Sequence, residues 1–197
     1  MIPIESQLNG LLLELCRALV TQPEAVTVRT ELLHRTIEAN IEVAPQDFGL
    51  VIGKGGKTFM ALKQFCRIIA QKHGFNSRIN RMIEPPERVI GRDLGTARDW
   101  ATLAETLILR IAIACFADAD AIEVTSEKLQ GRIRFSLGVN RNESAILVSM
   151  VQEHLDHLIG AIARGSGGNA NVDIRIKEPE QAAKQPPSAA GRFSKEI

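Results

Sequence analysis

Apolar residues recur in the same order twice along this chain, 96 positions apart, and no single motif restricts the fold as much. At that offset Val26 falls on Ile122 and Val43 on Val139, with Leu11 on Leu107, Val28 on Val124, Ile41 on Leu137 and Leu62 on Leu158. The match persists while the spacing changes from helical to alternating and back. Unrelated amphipathic stretches drift out of register over such a distance, so the sequence predicts an internal duplication. A chain of 197 residues accommodates two small domains, and an apolar fraction of 45% supplies them with cores.

Within the first copy, Leu8, Leu11, Leu12, Leu15, Cys16 and Leu19 have helical spacing, which Gln22-Pro23 ends. Ala25 to Arg29 reads as a short strand, followed by a polar loop around Glu31 to Arg35. Ile37, Ala39, Ile41 and Val43 then alternate with polar residues, as in a half-buried strand. Pro45 opens a short helix that runs to Ile52. A second helix follows to about His73, burying Phe59, Leu62, Phe65, Cys66 and Ile69, with Gly74 as its cap. Arg78 to Ile83 reads as a last strand. Glu84-Pro85-Pro86-Glu87 breaks regular structure, and a long helix is expected over Thr96 to Phe116.

Between the two adjacent helices stands Val51-Ile52-Gly53-Lys54-Gly55-Gly56-Lys57-Thr58. A G-x-x-G turn lets backbone approach an anion closely, and the helix beginning there aims free N–H groups at the same place. Lys54 and Lys57 add full charge. No Asp or Glu occurs between Asp47 and Glu84, a span that holds Lys54, Lys57, Lys63, Arg67, Lys72, Arg78 and Arg81. Net charge over the whole chain is only +1, so a surface for nucleic acid has to be local, and this span supplies one. In the second copy the loop corresponds to Ser149-Met150-Val151-Gln152, with neither glycine nor charge. The surrounding residues there mix Glu153, Asp156 and Asp173 with Arg164, Arg175 and Lys177. That copy reads as a degenerate relative, structural or partner-binding.

Val43-Ala44-Pro45-Gln46-Asp47-Phe48-Gly49-Leu50-Val51-Ile52-Gly53-Lys54-Gly55-Gly56-Lys57 resembles the signature of the small bacterial KH proteins of the KhpA family. The turn Ala18 to Val26 is similar too, and the resemblance covers roughly residues 5 to 83. It implies a type II KH fold and single-stranded RNA as ligand. It also implies that Gly53, Lys54, Gly55 and Gly56 contact phosphate, with Val51, Ile52 and Met60 flooring a groove. Lys57, Lys63 and Arg67 of the basic span complete the expected nucleic-acid site. Such proteins often pair with another KH protein, so a KH partner or self-association is expected. Combined with the repeat, the expected fold is α+β, in tandem type II KH-like units of order α-β-β-α-α-β, each a three-stranded sheet backed by helices. The expected division is a KH domain over 1–83, a linker over 84–95, a degenerate KH-like domain over 96–177 and a flexible tail over 178–197.

Other chemistries fit less well. Gly56-Lys57-Thr58 suggests a nucleotide-binding P-loop, but Val51 stands where that loop requires glycine. Gly165-Ser166-Gly167-Gly168 is a second G-x-x-G that leads into a strand rather than a helix, and reads as a connection, with Arg164 keeping a weaker RNA role open. His154 and His157 are too few for a metal site, and no metal or cofactor is expected. Cys16, Cys66 and Cys115 lie in apolar helical patterns and read as core thiols. Trp100 is expected to pack between the halves, with base stacking as the alternative. Aromatics make up 4% and Tyr is absent, which disfavours a base-stacking sheet. No nucleophile-base pair or catalytic carboxylate pair is definable, so no enzyme is expected. With neither a secretory leader nor a membrane-crossing run, the expected compartment is the cytoplasm. The alternative reading is a protein-protein scaffold that has largely stopped using RNA.

Overall fold

The computed structural model describes residues 3–82, 100–129, 132–140, 142–165 and 171–177. Helix α1 (Ile4–Leu19) leads into β1 (Thr27–Leu33) and β2 (Thr36–Glu42), then α2 (Phe48–Ile52), α3 (Lys57–Lys72) and β3 (Asn76–Met82). The second half follows as α4 (Trp100–Cys115), β4 (Glu123–Leu129), β5 (Arg132–Gly138), α5 (Ala145–Gly165) and β6 (Asn171–Lys177). Each half carries a three-stranded sheet with its central strand antiparallel to one neighbour and parallel to the other, in the order β1-β2-β3 or β4-β5-β6. The expected linker 84–95, the helix start at Thr96, Gly167 and Gly168, and the tail lie outside the described residues.

The hairpins share one register. Thr27 faces Glu42 and Leu33 faces Thr36, while Glu123 faces Gly138 and Leu129 faces Arg132, each partner 96 positions on. Strand β6 begins 95 positions after β3, so one residue has been lost between them. Strand β1 is longer than its sequence suggests. Glu31 to Leu33 continue the ladder instead of forming a loop, and the turn is tightened to His34 and Arg35, with His34 at φ 57°. Histidine tolerates that conformation better than most residues but does not advertise it. Helix α3 ends as expected. Gly74 at φ 79° closes a Schellman cap in which the Phe75 N–H donates to Ala70 O (2.9 Å) and the Gly74 N–H to Gln71 O (3.0 Å).

A clasp ties the first inter-element turn to α2. The buried Asp47 carboxylate accepts from the Thr21 N–H (3.1 Å), the Thr21 hydroxyl (2.7 Å) and the Gln22 N–H (2.9 Å). In the second half the equivalent Glu143 accepts from the equivalent Ala117 N–H (2.7 Å). A longer acid thus keeps one of the three bonds.

The sheets lie on opposite sides of a shared helical layer, in which α1 and α3 pack against α4 and α5 within one continuous apolar cluster. Leu12, Leu15, Phe65, Leu107, Ile108 and Ile111 are among its fully buried side chains, each contributing about 2 kcal/mol by leaving water. Glu14 pairs with Arg110, its own equivalent 96 positions on. A position meets its equivalent only near a two-fold axis, so α1 and α4 cross at a local pseudo-dyad. Lys72 reaches across and donates to Ala114 O (3.2 Å) and Phe116 O, capping the end of α4. Cys16, Cys66 and Cys115 are unpaired and buried in this layer; burial pushes the Cys16 and Cys115 thiols up to about 12, and Cys66 higher still with help from both neighbours. Trp100 is partly buried against this cluster and stands edge-on to Phe135 of the second sheet at 6.4 Å.

Asp47→Ala should lower stability by about 2–3 kcal/mol in urea unfolding, because three donors lose a charged acceptor, whereas Glu143→Ala should cost about 1 kcal/mol. His154 lies edge-on to Phe65 at 6.1 Å. Burial lowers its pKa below the usual 6.5, assisted by His157 and opposed by Glu153. The fold therefore favours neutral imidazole, and stability present above pH 6.5 is lost as pH falls below that value. Urea midpoints measured between about pH 7.5 and about pH 5.5 should decline, and His154→Gln should flatten the decline.

Candidate nucleic-acid interface

Helix α2 ends because Gly53 adopts φ 73°, ψ 174°, a region essentially restricted to glycine. Its N–H completes α2 on Gly49 O (2.9 Å), and its carbonyl accepts from the Gly56 N–H (3.1 Å). Gly55 (φ 62°) and Gly56 (φ 76°) are left-handed as well, and Gly56 is the residue from which α3 starts. Three positive-φ glycines in four positions therefore fold the chain back within one tight turn. The Lys57 N–H, first in α3, donates back to Lys54 O, so one of the first-turn N–H groups is spent within the turn itself.

The glycines are not equivalent. A Cβ on Gly53 would lie 2.0 Å from Thr58 Oγ1 and 2.7 Å from Thr58 Cβ, whereas Cβ atoms on Gly55 or Gly56 would meet nothing within 4 Å. Thr58, itself buried, fills the space under the turn and locks it to α3. Spacing alone does not single out Thr58, packed beneath the turn, or Asp47, whose carboxylate faces Thr21 and Gln22 behind α2.

Around the turn, Lys54, Gly55 and Lys57 are exposed. Met60 (48% exposed), Lys63 and Arg67 continue along the outer face of α3, with Lys63 Nζ 5.9 Å from the centre of the Phe59 ring. Among the described residues none of these four cations has a carboxylate within ion-pair distance. Ile52 is half-buried. Val51, expected in the groove floor, is wholly buried and holds α2 to the core, so it cannot touch a strand lying on the surface. Of the remaining basic span, Lys72 is committed to the end of α4 and Arg78 lies 3.7 Å from Glu38. The Arg81 side chain lies outside the described residues, and among those described the usable positive surface is the loop and the adjoining face of α3.

In the second half nothing interrupts the helix. Residues 145–165 form one continuous α5, which passes straight through the positions equivalent to the loop. Gly53→Ala should destabilise the protein by about 3 kcal/mol in urea unfolding, through φ strain and the Thr58 collision. Gly55→Ala should cost about 1 kcal/mol, through the left-handed backbone alone.

The family model described as KhpA/KhpB, KH domain, matches residues 9–80. An RNA-binding protein KhpA from Caldanaerobacter subterraneus subsp. tengcongensis is 38% identical over 58 residues, which is 29% of this chain and 77% of that protein. No solved structure matches the chain significantly. The matched family range runs from within α1 to within β3, takes in the Asp47 clasp and the whole glycine turn, and stops short of the second half. On this ground the chain belongs to the KhpA family of KH-domain proteins.

Proposed function

We propose that the protein binds single-stranded RNA through the Gly53–Gly56 turn, without catalysing a reaction, in the cytoplasm. The observation that carries this reading is an exposed glycine backbone at the start of α3, with Lys54 and Lys57 exposed and, among the described residues, without an ion-pair partner. Phosphates would lie against the turn and the first N–H groups of α3, and Met60 and Ile52 would offer apolar contact to bases. Lys63 and Arg67 would carry the strand along α3. The relative from Caldanaerobacter is named an RNA-binding protein, which supports the choice of nucleic acid.

The two halves, in this reading, are tandem type II KH-like units: residues 1–83 carry the working loop, 84–95 link, 96–177 form a degenerate unit and 178–197 a tail. The shared register of the hairpins and the Glu143 counterpart of Asp47 support a common origin. The second unit serves as a built-in partner, occupying the helical face that a separate KH protein or a second copy would otherwise cover. The scaffold alternative draws on the same continuous α5, but leaves the unpaired lysines at the loop without a role.

A KH loop engages about four nucleotides, so affinity near micromolar, roughly −8 kcal/mol, is expected. The double variant Lys54→Asp, Gly55→Asp should abolish binding of a short labelled RNA while keeping the parent's circular dichroism, because both side chains point into open space. A variant that binds like the parent at equal salt would refute the loop mechanism.

A further inference from the structure

Beside the glycine turn, the halves enclose a cleft of about 520 Å³. Gly49, Leu50, Gly53 and Lys54 form its wall in the first half; Ala161 and Arg164, from the last turns of α5, form its wall in the second. Its size falls within the range of sites that enclose small ligands, about 300–1,000 Å³. Two features of α5 bring Arg164 here. The end of α5 lies against the first half, where a Cβ on Gly165 would be 3.4 Å from Leu19 O, in van der Waals contact. Gly160 leaves room one turn earlier, where a Cβ would lie 3.3 Å from the Arg164 guanidinium.

The electrostatics of the cleft favour an anion. Arg164 and Lys54 are exposed, and among the described residues neither has an ion-pair partner. The one carboxylate in the wall, Asp47, is buried and occupied by Thr21 and Gln22. The rest of the wall is mainly apolar or glycine, with Leu50 half-buried on one side and Ala161 on the other, and Thr21 and Gln46 add polar side chains in the first half. Positive charge over apolar lining suits a nucleotide, whose phosphate is anionic and whose base and sugar have hydrophobic faces.

We propose that this cleft is the second part of a composite RNA site, in which the nucleotide next to those clamped by the loop rests between Leu50 and Ala161 with its phosphate on Arg164. The inference rests on the loop reading above. It gives the second half a direct share in RNA binding, contributed by the end of α5 rather than by a loop of its own.

The test uses the full chain and a fluorescein-labelled octauridylate titrated at several salt concentrations. Arg164→Gln should weaken binding about fivefold and lower the salt slope by about 0.7, the value for one phosphate on a single strand. Arg164→Glu should weaken it further and Arg164→Lys should largely retain it. Lys128→Gln, which removes an exposed charge from β4, should leave affinity and slope unchanged. If the Arg164 variants match the parent while Lys54→Asp, Gly55→Asp has lost binding, the composite cleft is refuted and the loop stands. A slope lowered equally by Lys128→Gln also refutes it, since the effect would then be diffuse charge. If the loop double variant binds like the parent, the loop reading fails and this inference with it.

Discussion

A three-stranded sheet covers only one side of the helices laid upon it. In a unit of some eighty residues the opposite side of those helices must find another apolar surface, or the core stays half wet. Here the other half of the chain supplies it. Leu12, Leu15 and Phe65 of the first half share one cluster with Leu107, Ile108 and Ile111 of the second, and the sheets are left facing outward. Most of the molecule follows from that arrangement. It fixes α1 against α4, brings Lys72 to the end of α4, and sets the last turns of α5 beside the glycine turn.

The contrast between the halves separates what folds the protein from what equips it. Strand order, hairpin register and the acid that clasps the first turn are present in both. Three left-handed glycines are present in one only. Where they occur, the helix is cut into α2 and α3 and its backbone is exposed; where Ser149 to Gln152 replace them, the helix runs through. A fold that tolerates either outcome places no demand of its own on the glycines. Their presence in the first half, each at a positive φ, with Thr58 packed beneath Gly53, is a matter of the site.

Element types and their order were readable because apolar spacing reports burial directly, and the repeat reinforced each assignment. The glycine turn was readable because glycine marks positive φ. Several other features left no such trace. The extension of β1 to Leu33 depends on His34 accepting a left-handed turn, which the sequence from Glu31 to Arg35 does not signal. Val51 sits in the signature beside the loop, yet the geometry of one short helix turns it inward. Trp100 packs against the shared cluster, but its edge-on contact with Phe135 follows from the tertiary fold and not from helical spacing. Asp47 acts over a long sequence separation, through hydrogen bonds to Thr21 and Gln22 that only the packed chain reveals.

The pairing of Glu14 with Arg110 has a consequence for partner choice. Two separate copies of the first half, docked by the same helical face, would bring one Glu14 against the other across the dyad. Two copies of the second half would likewise oppose Arg110 to Arg110. Only the mixed pair is attractive. Each such contact is worth little at an exposed site, about 0.2–1 kcal/mol, but its sign differs between like and unlike halves. Joining unlike halves in one chain thus turns a symmetric surface into one that discriminates against its own duplicate.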